Sequence, residues 1–332
     1  DLPMPGQFLR PDDMVLIDLV PMERSTRADV AACLEAAAAR TSVPRAIVSD
    51  HGADLNGGVQ IFQQSHPQTV EIYDAKHKAA CLLKARLEKN PRWIEFCKKL
   101  GQTRGVIQQT ELGALVPPAA KPKARFMNLS GQLNWAEKIL GLLDAPLDAR
   151  PHWLRPERLE EKLGWLREFR EDLELWKEWQ TVMDVTVEFV GSEGLHTDTP
   201  LSLCRKLRPL VQTAEGRRLA LDLIKFVREQ ASKIKADERL PGSTEVLESC
   251  FGKFKTLERD QAKGGFTSLL LGFGSMFAEA TIERVKKAMQ AVPTQTVRDW
   301  CAKHLGQTLF SQRKEAYALA NLAQQNQEES NP

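Results

Sequence analysis

The sequence predicts an α/β unit at residues 1–90 followed by a chain that is mostly helical. Three observations carry this. Short apolar runs alternate with helical patterns up to residue 90. Strand signals nearly vanish beyond it. Residues 157–183 then repeat apolar residues at steps of three and four.

The elements follow in order. MVLIDLV (14–20) reads as a strand buried on both faces, because its apolar run carries only Asp18. STRADVAACLEAAAAR reads as a helix, with Ser25 or Thr26 as cap and alanines of high helix propensity. VPRAIVSD is a second strand, entered through Pro44. Residues 54–65 form a short helix after a turn in which Gly52 supplies backbone freedom. TVEIYDA is a third strand, and KHKAACLLKARLEK is a helix with Ala80, Leu83 and Leu87 at helical spacing. Strand, helix and strand in this alternation imply parallel crossovers.

Past residue 90, VPPAAKPKAR (116–125) is a proline-rich breaker. In 157–183, Leu159, Leu163, Leu166, Phe169, Leu173, Trp176 and Met183 make an apolar stripe with charges opposite. It reads as a bundle helix packing within the chain, with a coiled-coil seam as the rival. Further helices are expected at 200–212, 215–236, 243–258 and about 276–312. DVTVEFV (184–190) reads either as a strand or as a continuation of the preceding helix. The final NLAQQNQEESNP is polar and expected to be disordered. The predicted organisation is an α/β part at 1–90, a helical block at 91–240, returning helices at 241–312 and a polar tail at 313–332.

Lys and Arg nearly balance Asp and Glu, leaving a formal charge of +2, which argues neither for nor against nucleic acid. No run of eighteen apolar residues occurs, so no membrane span is expected. The six cysteines form no CxxC pair and read as reduced, mostly buried thiols of a cytosolic protein. DLPMPGQFLRPDD begins without Met or a signal peptide and reads as the middle of a longer chain.

The candidate chemistry rests on carboxylates far apart in sequence. Asp50 follows a buried strand, so it belongs at the carboxyl edge of the sheet, where open α/β sheets bind ligands. Its bland alternative is a helix cap, a role for which Asp54 competes. In TEVLESCFGKFK, Glu248 and Lys255 lie two turns apart on one helix face, with Glu245 as the rival carboxylate. A carboxylate above a lysine suits a metal beside a phosphate, and a solvated charge pair is the plainer reading. In IYDAKHK, Asp74 ends the strand next to that of Asp50, and His77 follows one turn later; both are expected to support the site. Asp18 reads as a structural residue. Arg205, Lys206, Arg208, Arg217, Arg218, Lys225 and Arg228 either track phosphates or form a solvated face. GGFTSLLLGFGS lacks the lysine and spacing of a phosphate-cradling loop and reads as a turn with close helix packing.

Together, VPRAIVSDHGADL, EIYDAKHKAACLLK, KARFMNL…WAEKIL and STEVLESCFGKFKTLERDQAKGGFT resemble DDE-type insertion-sequence transposases. These segments span most of the chain. The resemblance implies an RNase H-like α/β fold with an incomplete sheet and a large all-α insertion at 91–240. Asp50 matches the family's second catalytic Asp and Glu248 its Glu; both would bind Mg²⁺ or Mn²⁺. Asp74 and His77 would support them, and Lys253, Lys255 and Arg125 would contact DNA. The strand of Asp18 matches the family's third strand. The first two strands and the first catalytic Asp have no counterpart, and in this reading they precede residue 1. The chain alone is then expected to be inactive in strand transfer, and poorly stable or completed by an upstream segment. The implied partners are transposon-end and target duplex DNA, with self-association in a synaptic complex. The implied location is the bacterial cytoplasm, at the nucleoid. Two rivals remain: a non-catalytic DNA- or protein-binding derivative, and a helical scaffold that exposes the 157–183 stripe.

Overall fold

A computed structural model describes residues 2–22, 24–119, 129–260, 267–277 and 281–329. Among these residues the protein is mostly helical, with thirteen α-helices and one two-stranded parallel sheet. The sheet pairs β1 (Ala46–Ser49) with β2 (Val70–Tyr73) in the register Ala46↔Val70 to Ser49↔Tyr73. α1 (Arg27–Arg40) precedes β1, α2 (Ala53–Ser65) makes the crossover, and α3 (Ala75–Leu87) leaves β2. Thr26 starts α1 through a reciprocal capping box with Asp29. α1 and α2 pack closely because Gly58 has no side chain; a Cβ there would lie 2.5 Å from Val30.

The helical block comprises α4 (Pro91–Ile107), α5 (Ser130–Asp144), α6 (Pro156–Leu163), α7 (Arg170–Glu193), α8 (Thr199–Leu207) and α9 (Ala214–Ala231). α10 (Glu245–Arg259), α11 (Ile282–Ala291), α12 (Thr294–His304) and α13 (Leu309–Glu329) follow. One apolar core runs from Ile72 of β2 to Leu240, so the sheet and the helical block share it. At its centre Trp176 is fully buried, 4.9 Å from the ring of Trp93 and 5.2 Å from that of Phe96. A second small cluster joins Cys250 of α10 to Phe273 and Phe277, with Met14 and Leu19 against it.

Several expectations are corrected. Residues 14–20 form no strand, and Val15 and Ile17 are exposed. The ladder among the described residues holds only β1 and β2, so this segment lacks a neighbour for its backbone groups. Asp18 instead pairs with Arg40 at 2.5 Å. The 157–183 stripe is buried within the chain, as a bundle helix requires. It is not one helix: residues 164–169 tighten into a 3₁₀ segment starting at Gly164, a weak helix former. Residues 184–190 continue α7. The expected 276–312 helix is interrupted near Pro293 and Gly306. The polar tail is helical to Glu329; Ala, Leu, Gln and Glu are good helix formers, and neither Pro nor Gly occurs between Leu309 and Glu329. The six cysteines are free, but only Cys250 is buried.

Candidate functional site

The site forms where β1 and β2 end. The Asp74 N–H donates to the Ser49 carbonyl at 2.8 Å, which aligns Asp50 and Asp74 side by side at the carboxyl edge of the sheet. Asp74 is buried, with 1% exposure, and caps α3 by accepting from the His77 N–H at 2.7 Å. Its other oxygen accepts from the Thr244 N–H at 2.5 Å and the Thr244 hydroxyl at 2.9 Å. The Ala75 N–H donates to the Gly242 carbonyl at 3.0 Å. One buried carboxylate therefore joins the start of α3 to the segment that starts α10.

Two residues into α3, Lys76 reaches α10. Its Nζ lies 3.0 Å from Glu245 Oε1 and 3.0 Å from Glu248 Oε2. Burial lowers the Lys76 pKa, but hydrogen bonds and charge from Glu245 and Glu248 outweigh it, and the net shift is upward. The sequence-predicted Glu248 is thus brought to the α3 end of the sheet together with its rival Glu245, and one ammonium is shared between them.

Asp50 is exposed and accepts from the Gly52 N–H at 3.0 Å in a tight turn. The strained residue is not Gly52, whose φ is −51°, but His51, with φ 58°. A side chain in the left-handed region costs energy, so its neighbours must hold it there. They do: the imidazole stacks on Tyr73 at 4.1 Å with 9° between planes. His51 Nε2 lies 3.3 Å from Glu71 Oε1, off the hydrogen-bonding direction, and this buried atom has no hydrogen-bond partner. Burial, the largest cause, holds the His51 pKa below its ordinary value; Glu71 opposes this and Lys233 and Lys78 reinforce it. Burial and the Cys81 thiol push the Tyr73 phenol up.

The sign of a pH effect follows. The folded protein disfavours protonated His51, so the unfolded chain takes up the proton first as pH falls through about 6.5. Stability at this residue is therefore full above that pH and declines below it. His51→Gln is expected to flatten the acid side of the stability curve. The measurement is the unfolding free energy of both proteins at about pH 7.5 and about pH 5.5. An equal drop in the two would exclude His51 as its source.

The remaining sequence-predicted residues are less involved. The His77 ring stands 5.9 Å from that of Tyr73, and its backbone rather than its imidazole meets Asp74. Lys253 and Lys255 are exposed on α10 and make no carboxylate pair among the described residues. Lys253 borders a cleft with Phe8, Ser243 and Glu245, and Lys255 borders one with Leu19 and Phe273. Arg125 lies outside the described residues. Sequence reasoning missed Lys76, Thr244 and the His51–Tyr73 stack. Lys76 carried a usable signal, as the residue two positions into the helix that Asp74 caps.

The carboxylate oxygens of Asp50 and Glu248 are hard donors of the kind Mg²⁺ and Mn²⁺ take. Among the described residues, however, no three of His, Cys, Asp and Glu converge as a metal-binding group. Lys76 already meets the charge of Glu248. As arranged, these residues do not fit a two-ion centre. No helix among the described residues is long and apolar enough to cross a membrane. Searches against family models, characterised proteins and solved structures found no match.

Proposed function

We propose that the chain is part of a DDE-type DNA transposase, acting at the nucleoid on duplex DNA, with an RNase H-like α/β part interrupted by the helical block α4–α9. One observation carries this reading. Some two hundred residues after Asp50, α10 docks beside the same sheet through Asp74–Thr244 and through Lys76, which holds Glu248. A carboxylate after a strand, a helical insertion, and a returning helix with a Glu is the order that strand cleavage by such enzymes uses. Hydrolysis of a phosphodiester at this edge would need Glu248 to be released from Lys76.

A second reading rests on that same ion pair. With Glu248 neutralised by Lys76 and no three-ligand group among the described residues, the chain would be a non-catalytic DNA-binding derivative of a transposase. A nicking assay separates the two. The chain is incubated with supercoiled plasmid and Mn²⁺, beside Asp50→Asn and Glu248→Gln. The chain alone is expected to bind plasmid without nicking it; nicking that appears once an upstream Asp-bearing strand is supplied, and that falls at least about 100-fold in both variants, is the outcome expected for a catalytic domain. Plasmid binding with no nicking even then selects the second reading. Absence of any DNA binding, or nicking equal in all three proteins, rejects the transposase reading.

A further inference from the structure

We propose that the cleft between α7 and the N-terminal segment around Phe8 is a binding site for an alkylammonium group, carried by a small amine or by a lysine side chain. Its test leaves Asp50 and Glu248 untouched, so it stands or falls separately from the proposed chemistry.

The cleft measures about 380 Å³, a volume within the range of small-molecule sites. One face of α7 forms its main wall. Gln180, Asp184 and Glu188 follow one another at steps of four, and Met183 and Val187 make a second row beside them. A polar row therefore runs next to an apolar one. Phe8 closes one side. The Gly6 N–H donates to the Ser192 carbonyl at 3.2 Å, which holds the N-terminal segment on the end of α7. The Phe8 ring packs over Gly191, where an added Cβ would lie 3.1 Å from it. Lys76 and Glu245 complete the lining.

The charges of this lining do not cancel. Lys76 is already engaged, 3.0 Å from Glu245 and 3.0 Å from Glu248. Asp184 and Glu188 meet no cation within hydrogen-bonding reach among the described residues. They stand one helical turn apart, a spacing at which like charges repel. The Asp184 carboxyl, although open to solvent on one side, is held above the usual carboxylate range: burial is the largest cause, a hydrogen bond from Gln180 opposes it, and the charge of Glu188 adds to it. Gln180 Nε2 donates to Asp184 Oδ1 at 2.6 Å, while its own Oε1 is buried and has no hydrogen-bond partner. A cation seated between Asp184 and Glu188 relieves the repulsion and offsets the burial of Asp184.

The lining also selects the kind of cation. Met183, Val187 and Phe8 suit an alkyl stem and not the water shell of an inorganic ion. Among the described residues no three of His, Cys, Asp and Glu converge as a metal-binding group. Asp184 already spends one oxygen on Gln180, which leaves no free pair of oxygens for the fork of a guanidinium. An ammonium takes single acceptors from several directions instead. Along the helix axis Asp184 and Glu188 lie about 6 Å apart at the rise of about 1.5 Å per residue, so the two ends of a short diamine can meet both. Nucleic acid, a polyanion, is repelled by the same carboxylates.

The test is calorimetric titration of the full chain with diaminopentane and, separately, with an acetyl-lysine amide whose side-chain ammonium is free. Asp184→Asn and Glu188→Gln are compared with the parent and with Glu174→Gln, an exposed carboxylate of α7 outside the cleft. Asp184 and Glu188 are both exposed, so either variant is expected to fold and each checks the other. The expected result is one-to-one binding that weakens about 10- to 100-fold in each cleft variant, the effect of losing one charge-assisted hydrogen bond. Glu174→Gln should match the parent. Tighter binding of the diamine supports a small amine as the ligand, and tighter binding of the lysine derivative supports a protein side chain. Absence of binding by both at millimolar concentration, affinity equal in the parent and the cleft variants, or displacement of the diamine by equimolar Mg²⁺ would each overturn the proposal.

Discussion

Asp74→Ala is expected to destabilise the protein by about 3–5 kcal/mol, through groups far apart in sequence. Asp74 is 1% exposed and accepts three hydrogen bonds, from the His77 N–H and from the Thr244 N–H and hydroxyl. Alanine would strand these donors where water reaches them poorly, and each stranded donor costs about 1–3 kcal/mol. It would remove the α3 cap, worth about 1 kcal/mol, and loosen the segment leading into α10. Asp74→Asn keeps one acceptor oxygen but points an amide donor at other donors, so roughly half the loss is expected. The neighbouring Asp50 is exposed and bonds only a local N–H, so Asp50→Ala should cost less than about 1 kcal/mol. Urea unfolding of the three variants checks this. Equal midpoints for Asp74→Ala and Asp50→Ala would show that the Asp74–Thr244 link does not tie α10 to the sheet.

Trp176→Ala is expected to cost about 3–5 kcal/mol, the usual range for deleting a buried aromatic ring. Trp176 is fully buried, edge-on to Trp93 and tilted against Phe96 and Phe169. Its Nε1–H finds no acceptor. Trp176→Phe should therefore cost only about 1–2 kcal/mol, because losing an unsatisfied buried donor offsets part of the cavity left by the smaller ring. Thermal or urea unfolding distinguishes the two. A phenylalanine variant as unstable as the alanine variant would mean that the indole N–H has a partner, such as a buried water.

The helices were largely legible because their signal is local. The 157–183 stripe advances by three or four residues, and by two turns from Trp176 to Met183, and all seven of its residues are buried. β1 and β2 were legible because each is a short apolar run bounded by turn residues and separated by one crossover helix. MVLIDLV carried the same local signal and failed. A strand exists only where a neighbour accepts its hydrogen bonds, and apolar composition does not report the neighbour. Gly52 is the residue the sequence offers for the turn's unusual backbone, because glycine has the greatest conformational freedom. The left-handed residue is His51 instead, held by stacking on Tyr73, and that contact crosses from the end of β1 to the end of β2.

The same division runs through the candidate site. The sequence by itself determined which residues carry charge and which element each sits on: Asp50 and Asp74 after their strands, Glu245 and Glu248 on one helix face, the arginines and lysines of α8–α9 on outer positions. Only the tertiary structure decided their pairing. It ties Asp74 to Thr244, sets Lys76 between Glu245 and Glu248, and leaves the α8–α9 cations without carboxylates among the described residues. The physical reason is range. Periodicity and capping act over three or four residues, whereas hydrogen bonds and ion pairs between elements depend on a few ångströms set by the packing of the whole core.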